Sequence, residues 1–214
     1  MSDPALRVRG LHVLADDGGR RHDPPRVAAA ACEGGAAVVQ LRAKSATDRQ
    51  TLVWAAPIRE CTRQSDVLFI VNDRFDLALA AGADGVHLGQ QDLPPARIPK
   101  AIRERLLVGR STHTLAQARA ACDEPVDYLA FGPIFGTRSK ASDYGPRGLE
   151  LLAQVVALAA PRPVVAIGGI DARSAAQVAA SGAGLAVLSA VTDADDPVRA
   201  VRELVRLAAS RAPA

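Results

Sequence analysis

Ala81-Gly82-Ala83-Asp84-Gly85-Val86-His87-Leu88-Gly89-Gln90-Gln91-Asp92 holds one full architectural unit in a dozen residues. A glycine able to take positive φ closes a helix, a short apolar run follows, and that run exits into polar groups. The same passage from glycine into strand returns as Glu33-Gly34-Gly35-Ala36-Ala37-Val38-Val39 and as Ser181-Gly182-Ala183-Gly184-Leu185-Ala186-Val187. Working outward, short strands are expected at residues 11–15, 36–41, 67–71, 85–88, 107–109, 128–131, 164–167 and 185–188, with Ala-rich helical stretches between them. Eight strand-loop-helix units in 214 residues predict an α/β chain folded as a (β/α)8 TIM barrel, one domain spanning residues 1–214. Strands apolar on both sides suit a parallel sheet wrapped by helices. Asp23-Pro24-Pro25 opens one helix by an N-cap followed by proline. Thr47-Asp48-Arg49-Gln50 is a capping box for a second that runs towards Gln64, where Pro57 is expected to kink or break it.

Composition narrows the class. A net charge of +3, with the excess arginines scattered along helices, points to anionic small ligands rather than to nucleic acid. Cys32, Cys61 and Cys122 are far apart in sequence and form no C-x-x-C pair, which reads as buried thiols in a reducing cytosol. Residues 1–10 carry Asp3, Arg7 and Arg9 without an apolar core, and no run approaches the roughly 18 apolar residues of a membrane span, so a cytoplasmic protein is expected.

In this fold chemistry sits on the loops after the C-terminal strand ends, and there the unusual residues gather. Strand two exits as Gln40-Leu41-Arg42-Ala43-Lys44, three long polar groups alternating with apolar ones; a strand end fraying into solvent would look the same. The chain has three lysines against 23 arginines, and two of the three, Lys44 and Lys140, follow strands, where a mobile point charge suits phosphate. Strand three exits as Val71-Asn72-Asp73-Arg74, and strand four ends near Asp92. Either carboxylate could simply cap a helix or close a turn. Adjacent parallel strands lie about 5 Å apart, so the two could also share one hard cation, with waters and a diphosphate completing an octahedral Mg²⁺ site. His87 reads as an inward packing or hydrogen-bonding residue, since no second His or Cys sits at ligand spacing.

Strand five leads into Arg110-Ser111-Thr112-His113-Thr114, where Thr112 and Thr114 read as capping residues and Ser111 and His113 stay open. Residues 132–148 form the longest loop, with Thr137, Ser139 and Lys140 among glycines, and read as a lid closing on an anion. Gly168-Gly169 after strand seven and Leu188-Ser189 after strand eight match the phosphate site common in such barrels.

Taken together these motifs, with Gly132-Pro133-Ile134-Phe135 and Ala166-Ile167-Gly168-Gly169-Ile170, resemble the thiamine phosphate synthase family from Leu11 to about Val191. The resemblance implies transfer of a hydroxymethylpyrimidine group from its diphosphate to a thiazole phosphate, with diphosphate leaving before the thiazole nitrogen captures a pyrimidine carbocation. It implies Mg²⁺ on Asp73 and Asp92, and electrostatic catalysis by Arg42, Lys44 and Lys140 with Ser111 beside the reacting pyrimidine. Gln40 and Asn72 would help hold the pyrimidine diphosphate, Thr137 and Ser139 the thiazole phosphate, and the backbone of Gly169, Leu188 and Ser189 its phosphoryl group. The implied partners are these small molecules, without nucleic acid or membrane, and a homo-oligomer stays open. Three features depart from the pattern: the first strand has His12 and lacks the usual Tyr, the lid carries Arg138 and a Tyr144-Gly145-Pro146 segment, and Ser111-Thr112-His113 is similar to a sibling thiazole tautomerase, whose histidine carries the proton. A tautomerase using His113 and an inactive phosphate-ligand sensor are the alternatives. Neither needs Asp73 and Asp92 together with Gln40, Arg42 and Lys44.

Overall fold

A computed structural model describes residues 7–18, 21–136 and 144–209. Eight parallel strands close into a barrel in sequence order: β1 (Leu11–Asp16), β2 (Val38–Arg42), β3 (Leu68–Asn72), β4 (Gly85–Leu88), β5 (Leu107–Thr112), β6 (Tyr128–Phe131), β7 (Val164–Ile167) and β8 (Gly184–Val187). Each bonds its neighbours, and β8 returns to β1 through Leu11 opposite Leu185. The helices are α1 (Pro24–Gly34), α2 (Asp48–Gln64), α3 (Phe75–Ala80), α4 (Lys100–Arg103), α5 (Leu115–Cys122), α6 (Gly148–Ala159), α7 (Ala175–Ala180), α8 (Ser189–Thr192) and α9 (Pro197–Ala209). The expected barrel is therefore present. β4, β6 and β7 fall on the expected residues, and the ends of the other strands differ from the sequence reading by at most three residues, most at β5, which runs on to Thr112 because it pairs with β6 up to Phe131.

Period-two alternation divides every strand between two cores. Val13, Val39, Leu41, Phe69 and Val71 face outward into the layer between sheet and helices, and full burial of each such side chain is worth about 1.5–3 kcal/mol. Leu14, Val38, Leu68, Ile70, Tyr128, Val165 and Ala186 face inward and pack together inside the barrel. Gly109 is inward too: a Cβ there would stand 2.2 Å from the Tyr128 ring and 2.5 Å from His87 Nδ1, so its hydrogen makes room for both rings.

Local signals act as read at several helix starts. The Asp23 side chain accepts from Arg26 N at 3.1 Å and Thr47 accepts from Gln50 N at 3.2 Å. Thr114 caps α5 by accepting from Gln117 N at 3.1 Å. Thr112 does not cap: it is buried in β5, and its hydroxyl donates to Ala130 O at 3.0 Å. Pro57 does not break α2, which runs unbroken from Asp48 to Gln64. The carbonyl that Pro57 leaves without a donor is that of Val53, an exposed residue where water can serve. The cysteines differ more: only Cys32 is buried, and its Sγ lies 3.5 Å from that of Cys61, joining α1 to α2.

Candidate active site

A cavity of about 130 Å³ opens at the C-terminal ends of the strands. Its floor comes from inward positions, apolar at Leu14, Val165 and Ala186 and polar at His12, His87 and Tyr128. His12, buried on β1, donates from Nε2 to Val8 O at 2.6 Å. Burial lowers its pKa to about 4 against the opposing pull of that carbonyl, so the ring is neutral. The His12 and Tyr128 rings sit 5.8 Å apart, and the Tyr128 hydroxyl lies 3.1 Å from His87 Nδ1. Burial first, then the charge of Asp127, pushes the phenol pKa up, keeping Tyr128 protonated. His87 Nε2 in turn lies 2.8 Å from Ser111 Oγ. A neutral imidazole donates from one nitrogen and accepts at the other, so His87 links a buried phenol to the hydroxyl at the cavity wall.

One wall is charged. Arg42 is ion-paired with buried Asp16, whose Oδ1 also accepts from Gly18 N at 2.9 Å. Gln40 and Asn72 line the cavity beside Arg42. Just past them Lys44 is ion-paired with Asp73, which sits in the left-handed region at φ 66°. Asp73 does not cap α3; the residue at that cap is Arg74, with no side-chain cap bond. Asp92 accepts from Gly89 N at 2.6 Å, so the turn-closing reading holds for it. It also lies against Asp73: burial first, then a hydrogen bond and the like charge from Asp73, raises its carboxyl, opposed by Gly89 N–H and by Lys44. Arg110 Nη1 donates to Gly89 O at 2.6 Å and fixes this turn from β5.

The opposite wall is backbone. Gly168 at φ 101° and Gly169 at φ 67° follow β7, where a Cβ would stand 2.6 Å from Pro133 Cα and 2.6 Å from Gly136 O respectively. These glycines let the β7 exit press against residues 133–136, with Phe135 N donating to Gly168 O at 3.0 Å. Leu188 and Ser189 complete this side. Between the walls stands His113, its Nδ1 donating to Gly132 O at 2.6 Å and its ring stacked on Tyr144 at 4.5 Å.

The cavity thus gathers Gln40, Arg42, Asn72, Ser111, Gly169, Leu188 and Ser189 of the expected residues. Lys44, Asp73 and Asp92 form a separate charged cluster at its rim rather than part of its lining. Thr137, Ser139 and Lys140 lie outside the described residues. Sequence reasoning passed over His12 and Tyr128 as site residues; the signal available was a polar or aromatic residue at an inward strand position. Among the described residues no three His, Cys, Asp or Glu side chains group to hold a metal ion. Asp73 and Asp92 do fit one: two crowded hard-oxygen ligands, one with its ionised form disfavoured by the other, are eased by a shared cation. No helix among the described residues is long and apolar enough to cross a membrane.

Residues 11–191 match the family model described as thiamine monophosphate synthase. Thiamine-phosphate synthase of Anaeromyxobacter dehalogenans is 47% identical over 205 residues, covering 92% of this chain and 87% of that protein. The synthase of Methanoculleus marisnigri is 47% identical over 209 residues, covering 94% and 97%. Among solved structures, thiamine phosphate pyrophosphorylase from Pyrococcus furiosus superposes with a TM-score of 0.86 at 38% identity, covering 95% of this chain and 98% of that one. With the family model spanning most of the barrel and relatives at this identity over nearly the whole chain, the protein belongs to the thiamine monophosphate synthase family.

Proposed function

We propose that this chain is a thiamine-phosphate synthase, a single-domain cytoplasmic enzyme that joins a pyrimidine methyl diphosphate to a thiazole phosphate and releases diphosphate. The observation that carries this reading is the division of one cavity between a wall of side-chain charge and a wall of glycine-rich backbone. The two halves suit two different phosphorylated substrates brought face to face.

Arg42 and Lys44 would stabilise negative charge as it develops on the leaving diphosphate, a role that needs fixed positive charge and no protein nucleophile. Both already have carboxylate partners, Asp16 and Asp73, that hold them in place. Asp73 and Asp92 would hold Mg²⁺, which supplies further charge neutralisation on the diphosphate. Gln40 and Asn72 would orient the pyrimidine diphosphate. Ser111, fixed by His87 and through it by Tyr128, would stand beside the reacting pyrimidine. The backbone of Gly169, Leu188 and Ser189 would take the thiazole phosphoryl group, and Thr137, Ser139 and Lys140 would close over the pair. Purified protein incubated with both substrates and Mg²⁺ should release diphosphate and form thiamine phosphate in equal amounts; absence of both products overturns the reading.

One observation favours a second activity. His113 lines the same cavity with its ring oriented by Gly132 O and Tyr144, as a proton carrier for thiazole isomerisation would require. Isomerisation without coupling would make this the main function.

A further inference from the structure

The β2 exit is held by a feature that none of the assigned site residues explains. Three consecutive backbone N–H groups converge on one carboxylate: Lys44 N reaches Asp17 Oδ1 at 3.1 Å, while Ser45 N and Ala46 N reach Oδ2 at 2.7 Å and 2.9 Å. Successive N–H groups turned to one point make a concavity that binds anions. Here the chain supplies the anion itself. These bonds are not helix capping, because α2 begins at Asp48 under its own cap, Thr47. Asp17 N also donates to Arg42 O at 3.0 Å, so the residue grips the β2 exit on both sides of Ala43. Burial raises the Asp17 carboxyl, but the donors of Ser45, Lys44 and Ala46 and the charge of Arg42 outweigh it, leaving it below the ordinary carboxylate range and ionised.

The position of this cradle gives it a consequence. Its first donor belongs to Lys44, whose side chain reaches across to Asp73 on the neighbouring strand exit. A lysine has four rotatable side-chain bonds, so the place its charge occupies depends on how firmly its backbone is held. Asp16, next in sequence, holds the Arg42 guanidinium in the same way from the side-chain end. The end of β1 thereby touches both cationic residues, Arg42 through its side chain and Lys44 through its backbone.

We propose that Asp17 is a positioning residue for the reaction: the resident anion of a three-donor cradle that fixes residues 44–46 so that Lys44 meets the diphosphate half of the substrate pair. The inference rests on the function proposed above.

Asp17→Ala and Asp17→Asn test it, with kinetics measured separately for each substrate, with and without added formate, and with amide hydrogen exchange at residues 44–46. In Asp17→Ala, kcat/KM for the pyrimidine diphosphate should fall about 10- to 100-fold, the scale of a misplaced catalytic group. The KM for thiazole phosphate should stay within about twofold. Formate, entering the vacated cradle, should restore part of the loss, and Asp17→Asn, which keeps one acceptor oxygen, should fall between. Wild-type kinetics in Asp17→Ala, or an equal loss on both substrates that formate does not touch, overturns the proposal. Should wild type release no diphosphate, the functional reading fails, and exchange then decides the cradle alone: faster exchange at residues 44–46 in either variant supports it, and unchanged exchange rejects it.

Discussion

The exits of β1 to β4 and those of β6 to β8 face one another across the same cavity and use opposite means. The first set presents long charged side chains, Arg42 held by Asp16 in the cavity wall and, at its rim, Lys44 held by Asp73 with Asp92 alongside. The second works through chain that has shed its side chains, at Gly132, Gly168 and Gly169. Charge held in place on side chains can stabilise an electron pair as it moves onto a leaving group, whereas backbone amides suit a spectator phosphate whose charge does not change. The two walls should therefore fail differently. Damage to the charged wall should lower turnover, and damage to the backbone wall should weaken binding and stability.

The largest effect should come from the charged wall. Asp73→Ala or Asp92→Ala should reduce the rate of diphosphate release about 10²- to 10³-fold, as when one charge-stabilising element is lost, with melting temperature almost unchanged. A variant that keeps near-normal Mg²⁺-dependent turnover would break the comparison at its strongest point.

Beneath both walls lies the shared floor, where burial rather than function sets the cost. His12 is neutral in the fold with a pKa near 4, against an ordinary 6.5 in the unfolded chain. Below pH 6.5 the unfolded chain takes up a proton that the native state refuses, so stability falls as pH drops from 6.5 towards 4. The full loss from this one group is about 3 kcal/mol. His12→Leu should flatten that part of the profile of melting temperature against pH; an identical profile would mean the ring is not held neutral.

On the backbone wall, Gly168→Ala puts a Cβ 2.6 Å from Pro133 Cα at a φ that side chains avoid. It should cost about 1–3 kcal/mol of stability. Titration with thiazole phosphate should show a raised KM while the pyrimidine diphosphate is little affected, and the reverse split would erase the division of labour between the walls. The smallest effect is expected at His113, between the walls. Coupling has no proton for an imidazole to move, so His113→Asn should keep coupling of the aromatic thiazole phosphate within about tenfold, while any isomerisation should fall about 10²- to 10⁴-fold. Coupling that collapses with isomerisation would assign the histidine to the charged step.

The charged wall was legible beforehand because its residues are unusual where they stand. Gln40, Arg42, Asn72, Asp73 and Asp92 interrupt apolar runs at strand exits, and the barrel topology says that exits are neighbours. The floor was not legible. On strands buried on both faces, alternation does not tell inward from outward, so Tyr128 looked like any core aromatic and His12 like a departure from pattern. Thr112 reads as a cap only if β5 stops at Gly109, whereas pairing with β6 carries the strand through it, and the contact of Cys32 with Cys61 depends on how α1 and α2 pack together. Asp17 gave no local sign either, since its three donors lie 27 to 29 residues further along the chain.

The sequence by itself determined the barrel, its order of strands, the helix caps at Asp23, Thr47 and Thr114, and which exits carry charge. Those are local properties, written in periodicity, turn chemistry and side-chain type within a few neighbouring residues. Only the tertiary structure decided which carboxylate meets which cation, which anion fills the cradle of residues 44–46, and which rings share the floor. Each of those pairings joins separate strands or loops, and their distances are set by how the barrel closes and by which face of each strand turns inward.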